Sequence, residues 1–268
     1  MTGLGGQERS DRGIRYVALG SSMAAGPGLR PGAPGAPKGS GRSAVNYAHL
    51  AARRLGYDLV DVTFSGATTA HVLADPQLSA PPQVDALDGT EALVTVTIGG
   101  NDAGYFAFLF AACLPRFLRS VPLLGGALRG RLDVEARDEA LLGVAESLKL
   151  VGREVRARAP RARVLFVDYL TLLPPAGTPA PPLSERRAEA ARRIGATLER
   201  VTATAAAETG CELVRAGAAS RAHHPWSDDP WTSRFGAPWP GRVAPLHPNA
   251  NGMAAVADLI VAKVDGSS

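Results

Sequence analysis

The segment ALVTVTIGGND, residues 92–102, decides the fold. Its first seven residues are apolar or β-branched almost without exception, which is typical of a strand buried on both faces. A strand of this kind belongs to a parallel sheet with helices packed on both sides. The next four residues, Gly-Gly-Asn-Asp, favour a turn, so Asn101 and Asp102 are expected just beyond the carboxyl end of the strand.

The rest of the chain alternates between short apolar strands and amphipathic segments, which predicts a parallel sheet covered by helices. In the helical segment 43–56, Ser43 is a suitable N-cap and Gly56 a suitable residue just past the C-terminus. The other strands are predicted at Tyr16–Leu19, Leu59–Phe64, Val164–Tyr169 and Glu212–Val214, and the other helices at about 134–159, 184–208 and 250–264.

The length and composition suit one large α/β domain. The chain has 268 residues, of which 46% are hydrophobic, and this is enough for a substantial core. We expect a flexible polar tail at residues 1–13 and a single domain over residues 14–268. The N-terminus lacks the apolar core of a signal peptide, and no stretch reaches the roughly 18 uncharged apolar residues of a membrane span. These features predict a cytoplasmic protein.

The charge and the cysteines argue against several other classes of protein. The net charge of +4 comes from arginines scattered along helices rather than from a basic block, so no nucleic-acid partner is expected. Cys113 and Cys211 lie far apart, with no CxxC pair, and we expect two reduced thiols. The neighbouring His223 and His224 have no third ligand at fitting spacing, so no metal is expected.

Polar residues follow three of the predicted strands and precede the last helix. They are Gly20–Ser22, Ser65–Ala67, Gly99–Asp102 and His247–Asn249. Ligands bind at the carboxyl ends of the strands in an open parallel sheet, so one rim is expected to hold a hydroxyl, a glycine N–H, a carboxamide and an imidazole. Acyl transfer needs this set: a nucleophile, a base, and donors for the oxyanion that develops.

These blocks resemble those of the SGNH (GDSL-type) hydrolase family. Gly20–Met23 is similar to the family's Gly-Asp-Ser-Leu block, Gly66 to its second block, Gly99–Asp102 to its Gly-x-Asn-Asp block, and His247 to the histidine of its last block. The similarity extends from about residue 16 to residue 264, with the blocks in order. It implies a three-layer α/β/α fold with a central, parallel five-stranded sheet of the flavodoxin-like type.

The resemblance also implies a role for each matching residue. Ser22 is similar to the nucleophile and His247 to the general base. The backbone N–H groups of Ser22 and Gly66 and the side chain of Asn101 correspond to the oxyanion hole. No cofactor is expected. The small residues around Ser22 are expected to let the substrate carbonyl approach its hydroxyl.

Two positions depart from the family pattern. Ser21 stands where the family has an aspartate, and we do not expect this change to abolish activity. Ala244 stands where the family usually has the aspartate that orients the histidine. We expect the Ala244 backbone carbonyl to accept the Nδ1–H of His247 instead; the alternative is a carboxylate from Asp228 or Asp229. A carbonyl fixes the tautomer of the ring but adds no full charge.

Two segments lie outside the alternation of strands and helices. Residues 105–132 combine phenylalanines and leucines with arginines, and prolines and glycines divide them into short pieces. This segment is either an extra helical layer or an apolar lid that forms an acyl pocket and makes transient contact with a lipid surface. Residues 223–248 are rich in tryptophan, proline, histidine and aspartate.

The favoured function is a hydrolase of carboxylic esters with a lipophilic acyl group, acting through an acyl-serine intermediate. A thioesterase or acyltransferase on a natural-product or acyl-carrier substrate would use the same residues. A non-catalytic binding module is the alternative from another class, and the joint presence of nucleophile, base and oxyanion donors argues against it. The sequence leaves the physiological ester, the acyl length and the oligomeric state open.

Overall fold

A computed structural model of the chain describes residues 13–115, 117, 124–236 and 242–266. The strands of this part are β1 (Arg15–Gly20), β2 (Asp58–Asp61), β3 (Leu93–Thr97), β4 (Arg163–Val167) and β5 (Glu212–Val214). Its helices are α1 (Ser22–Ala25), α2 (Tyr47–Leu55), α3 (Thr69–Leu73), α4 (Tyr105–Cys113), α5 (Leu124–Arg131), α6 (Val134–Arg158), α7 (Glu185–Glu208), α8 (Ala216–Ala219) and α9 (Ala250–Val264).

The five strands form one parallel sheet in the order β2-β1-β3-β4-β5. On β1, Val17 pairs with Val60 of β2 on one side and with Val94 of β3 on the other. The chain moves outward from β1 to β2 and then returns to build the other half of the sheet. The order therefore reverses between β1 and β3, and ligands bind beyond the carboxyl ends of strands at such a switch point.

Helices cover both faces of the sheet, which confirms the predicted three-layer α/β/α architecture. Helices α2 and α9 pack together on one face, and α6 packs with α7 on the other. Side chains of β1 alternate between the two cores: Tyr16 and Ala18 lie in the core under α2 and α9, whereas Val17 and Leu19 lie in the core under α6 and α7.

The buried strand β3 carries two threonines, and tyrosines satisfy both hydroxyls. The phenol of Tyr16 bonds the Thr95 hydroxyl at 2.9 Å, and the phenol of Tyr47 bonds the Thr97 hydroxyl at 2.8 Å. A buried hydroxyl without a partner costs free energy, so these contacts explain how β3 stays fully buried despite its polar residues.

Three predicted boundaries are wrong in detail, and one of them is the end of β4, which lies at Val167 rather than at Tyr169. Helix α2 is capped by Asn46, whose side chain accepts the N–H of His49 at 3.0 Å. Ser43, the predicted N-cap, lies in the turn before it. The prediction that Gly56 follows the helix is confirmed, since its φ is +69°. Strand β2 ends at Asp61 rather than at residue 64. Beyond it, the Asp61 carboxylate accepts the N–H and the hydroxyl of Thr63, and the N–H groups of Val62 and Phe64 still donate to carbonyls of β1.

Helix α4, from the segment 105–132, packs mainly against α7. Its Phe108, Leu109 and Ala112 are buried in the core beside α7. Part of the segment, residues 116 and 118–123, lies outside the described residues, as do residues 1–12 of the expected tail, so the lid and the tail stay predictions. Within the described ranges, no helix combines the length and apolar character needed to cross a membrane.

Candidate active site

Ser22 is the first residue of α1 and lies directly beyond the carboxyl end of β1. The turn between them needs a glycine: Gly20 has a φ of +146°, and a Cβ there would lie 2.6 Å from the carbonyl oxygen of Thr97. The side-chain amide of Gln83 bonds both the N–H and the C=O of Gly20, at 2.7 and 3.1 Å. These contacts fix the Ser22 hydroxyl at the switch point of the sheet.

Packing explains the small residues that follow Ser22. Ala24 and Ala25 are fully buried, and Ala24 belongs to the core under α2 and α9. Gly26 ends the helix in the left-handed conformation, with a φ of +76°. Core packing thus gives the two alanines a second reason to be small, and the expectation that small residues let the substrate carbonyl approach Ser22 stays a prediction.

His247 lies on the loop before α9 and contacts Ser22. Its Nε2 is 2.8 Å from the Ser22 Oγ, and its Nδ1 is 2.8 Å from the backbone carbonyl oxygen of Pro245. Burial lowers the pKa of His247 below its ordinary value of 6.5, while the Pro245 hydrogen bond opposes this effect. The neutral imidazole is thus favoured, and it can accept a proton at Nε2.

The predicted contact between His247 and the Ala244 carbonyl is wrong by one residue. The Ala244 carbonyl accepts the Ser233 hydroxyl at 2.6 Å and the backbone N–H of His247 at 3.2 Å. The chain turns at Leu246, whose φ is +63°, and this turn places the Pro245 carbonyl at the ring. A neutral carbonyl at Nδ1 was expected, but the residue that supplies it is Pro245.

The alternative partners Asp228 and Asp229 do not reach this histidine. The backbone carbonyl and the carboxylate of Asp229 lie 2.8 and 3.3 Å from the Nδ1 of His223. That ring stacks on Trp231, with centroids 4.1 Å apart. Within the described part of the chain, the hydrogen bonds of the His247 ring go to Pro245 and Ser22 alone.

Residues beyond β3 hold the loop that carries Gly66. The Nδ2 of Asn101 donates to the carbonyl of Ala67 at 2.8 Å. The Asp102 carboxylate accepts the N–H and the hydroxyl of Thr69, at 2.9 and 2.6 Å. The Asp102 carboxylate therefore braces this loop. The two strand ends are thus tied together beside Ser22.

Two backbone N–H groups at this edge are available to a ligand. Among the described residues, neither the N–H of Ser22 nor that of Gly66 has a hydrogen-bond acceptor. The first residue of a helix leaves its N–H without an intrahelical partner, and Gly66 adopts a left-handed turn with a φ of +80°. Both groups are therefore potential donors.

Aromatic residues complete the site, and the sequence interpretation missed their arrangement. Phe106 stacks on the ring of His247, with centroids 5.4 Å apart and an angle of 23°. Its ring is also 5.8 Å from that of Tyr169, whose phenol oxygen accepts the N–H of Gly100 at 2.9 Å. Tyr169 lies two residues past the end of β4, and this position after a strand is the sequence signal that points to it.

The parallel sheet and the Ser22–His247 pair at its switch point place the chain in the class of three-layer α/β/α hydrolases. The sequence model of the GDSL-like Lipase/Acylhydrolase family matches residues 18–255. The chain belongs to this family, and it is accordingly an enzyme that hydrolyses carboxylic esters.

Relatives and solved structures agree with this assignment. The chain is 35% identical to "Lipase 2" of Streptomyces coelicolor over 245 residues, covering 89% of this chain and 82% of the relative. It is similar to the crystal structure of phospholipase A1 from Streptomyces albidoflavus, with a TM-score of 0.76, 27% identity, and coverage of 96% of this chain and 100% of that one.

A second solved structure is relevant to the cellular location of the protein. The extracellular lipase from Streptomyces rimosus matches with a TM-score of 0.72 and 28% identity, over 95% of this chain and 100% of that one. That protein is described as extracellular, so the comparisons lend no support to the cytoplasmic location expected from the sequence.

Proposed function

We propose that the chain hydrolyses carboxylic esters through an acyl intermediate on Ser22. The observation that carries this proposal is the 2.8 Å contact between the Nε2 of His247 and the Ser22 Oγ. A serine hydroxyl is a weak nucleophile until an adjacent base accepts its proton. The lowered pKa of His247 keeps the imidazole neutral and ready to act as that base.

In the first half of the reaction, the Ser22 Oγ attacks the ester carbonyl as its proton moves to the Nε2 of His247. The tetrahedral intermediate then collapses, and His247 returns the proton to the departing alkoxide. In the second half, His247 takes a proton from water, the resulting hydroxide attacks the acyl-serine, and the acid leaves as Ser22 recovers its proton. The Pro245 carbonyl holds a hydrogen on Nδ1 throughout, so Nε2 remains the reacting nitrogen.

Three donors are assigned to the oxyanion. The backbone N–H groups of Ser22 and Gly66 lack acceptors within the described residues. The amide of Asn101 carries two hydrogens, of which one is engaged by the Ala67 carbonyl. The second hydrogen is left for the oxyanion. Donors fixed in this way stabilise the transition state without the reorganisation that water would need.

The substrate is proposed to carry a lipophilic acyl group. Phe106 lies against His247, and further along α4 Phe110 meets Phe235 edge to face, with centroids 5.4 Å apart. Phe110 remains 38% exposed. These rings provide an apolar surface that begins at the proposed base. Because each CH₂ that becomes buried contributes about 0.8 kcal/mol, longer acyl chains are expected to bind better.

A series of p-nitrophenyl esters from acetyl to decanoyl tests the proposal. We expect kcat/KM to rise several-fold with chain length, and Ser22→Ala to be inactive on every ester. Phe110→Ser is expected to flatten the series. Leu142→Ser is the matched control, since Leu142 is an exposed apolar residue of α6. A flat series or a maximum at acetyl contradicts the lipophilic substrate, and activity in Ser22→Ala contradicts the mechanism.

A further inference from the structure

Among the residues that the structure describes, the proposed base has no charged partner to fix its orientation. At Nδ1, His247 has the neutral carbonyl of Pro245. The hydrogen bonds at Nδ1 and Nε2 meet the edge of the ring and support neither of its faces. A second kind of contact, against a face of the ring, would help to keep Nε2 at the Ser22 hydroxyl.

Phe106 provides this second contact. Its ring lies nearly parallel to the imidazole, at 23° and with a centroid distance of 5.4 Å. Helix α4 is anchored by residues buried in the core, including Phe108 and Leu109, so the ring of Phe106 is held from behind. A flat apolar group against one face of the imidazole restricts its rotation and keeps water from that face.

Tyr169 holds the neighbouring loop in place through a hydrogen bond. Its phenol oxygen accepts the N–H of Gly100, the residue directly before Asn101. Tyr169 is buried, and so is Ser21, whose side chain lies close enough to the phenol to lower its pKa against the effect of burial. The hydrogen bond from the Gly100 N–H to the phenol holds the Gly100 peptide.

Both rings meet at Gly100. A Cβ on this residue would lie 2.9 Å from the Cε2 of Phe106 and 2.9 Å from the phenol oxygen of Tyr169. Real Cβ atoms do not tolerate such contacts, so the glycine is required for the close approach of the two rings. The histidine, the two aromatic rings and the loop of Asn101 therefore pack as one unit.

We propose that Phe106 and Tyr169 are positioning residues, Phe106 for the imidazole of His247 and Tyr169 for the loop that carries Asn101. This inference rests on the proposed function. It assigns to two uncharged aromatic side chains the task of holding the base and one oxyanion donor in place. Phe106 contacts the imidazole of His247, and Tyr169 contacts the Gly100 peptide.

The pH dependence of the reaction tests the contact between Phe106 and the His247 ring. The groups that face the His247 ring are the Ser22 hydroxyl, the Pro245 carbonyl and Phe106, and the shift of its pKa has burial and the Pro245 carbonyl as its causes. Removing Phe106 admits water to the ring and favours the charged imidazolium. The pKa of His247 then rises. The acid limb, which is the fall of kcat/KM at low pH as the base becomes protonated, moves to higher pH.

Phe106→Ala and the milder Phe106→Leu test this contact on the full chain. We expect the acid limb of Phe106→Ala to move up toward 6.5 and kcat to fall by about 10- to 100-fold, as for a misplaced catalytic group. Phe106→Leu keeps apolar cover, so its limb is expected to move less while kcat still falls. Phe166→Leu is the control, because Phe166 is buried in the same core but on β4, and it is expected to lower thermal stability without moving the limb.

Tyr169→Phe tests the second contact by removing only the phenol oxygen. We expect kcat to fall about tenfold or more, with KM and the acid limb unchanged, because the loop of Asn101 loses its anchor. The matched control is Tyr16→Phe, which loses a buried phenol bond of 2.9 Å to Thr95 away from the site. It is expected to lose stability alone.

Failure of this inference is distinguishable from failure of the proposed function. If the unaltered chain hydrolyses no ester, the proposed function is wrong. The inference is overturned if the unaltered chain is active, Phe106→Leu keeps the wild-type kcat and acid limb, and Tyr169→Phe loses stability alone, as Tyr16→Phe does. The two residues are then structural only.

Discussion

Replacing Asn101 with alanine removes one proposed donor of the oxyanion hole and one structural hydrogen bond, and the two effects have different sizes. A lost oxyanion donor costs about 2.7–4 kcal/mol of transition-state stabilisation, or about 10²–10³ in kcat. The lost bond to the Ala67 carbonyl, 2.8 Å long, costs about 0.5–1.5 kcal/mol of folding free energy. Activity is therefore expected to collapse in a protein that remains folded.

The assay is steady-state hydrolysis of a p-nitrophenyl ester, together with urea unfolding of the same samples. KM is expected to change little, since the amide bonds the oxyanion better than the ground-state carbonyl. Gln77→Ala is a matched control: the Nε2 of Gln77 donates to the Ser65 carbonyl of the same loop at 2.9 Å. It loses a comparable bond, and kcat is expected to stay within a few-fold. A kcat for Asn101→Ala within tenfold of wild type, or an equal loss in Gln77→Ala, refutes the assignment.

Three further predictions concern ionisable groups. Asp228→Asn and Asp229→Asn should each keep most of their esterase activity, and a drop of about 10⁴-fold in either would reveal a carboxylate in the triad. The acid limb of kcat/KM should lie below 6.5, because burial lowers the pKa of His247 and the base must be neutral; a limb above 6.5 in a pH–rate profile contradicts this. Burial raises the pKa of the Asp168 carboxyl from 3.8 to about 7, so ionising it costs folding stability as the pH rises from about 4 to 7. Asp168→Asn should therefore unfold at a higher urea concentration than wild type at pH 8 but not at pH 4. Equal gains in stability at both pH values would refute the ionisation argument.

The sheet was predictable because its inner strands β1, β3 and β4 are buried almost throughout and carry that pattern in the sequence. The start of α2 was not, since Ser43 and Asn46 are both good N-caps. A long-range contact favours the second: the Nδ2 of Asn46 donates to the Asp61 carboxylate of β2 at 2.8 Å. Such a contact has no local signature.

In the site as well, some features were predictable from the sequence and others depend on long-range contacts. The blocks that contain Ser22, Gly66 and Asn101 could be located because each follows a strand of one parallel sheet, and the family resemblance singled out these three residues within them. The carbonyl at His247 was misplaced by one residue because the left-handed turn at Leu246 is a non-glycine exception that composition does not reveal. The stacking of Phe106 on His247 depends on how α4 packs against a distant loop, and only the three-dimensional structure provides that information.

The most direct test of the account is covalent labelling with a fluorophosphonate, which reacts with an activated serine and stays attached. Intact-mass measurement and peptide mapping locate the adduct, and circular dichroism confirms that each sample is folded. We predict one label per chain, at Ser22 rather than Ser21, no label in Ser22→Ala, and much slower labelling in His247→Ala. A folded wild-type protein that stays unlabelled, or a label on a serine other than Ser22, would contradict the proposal that Ser22 and His247 form the catalytic pair.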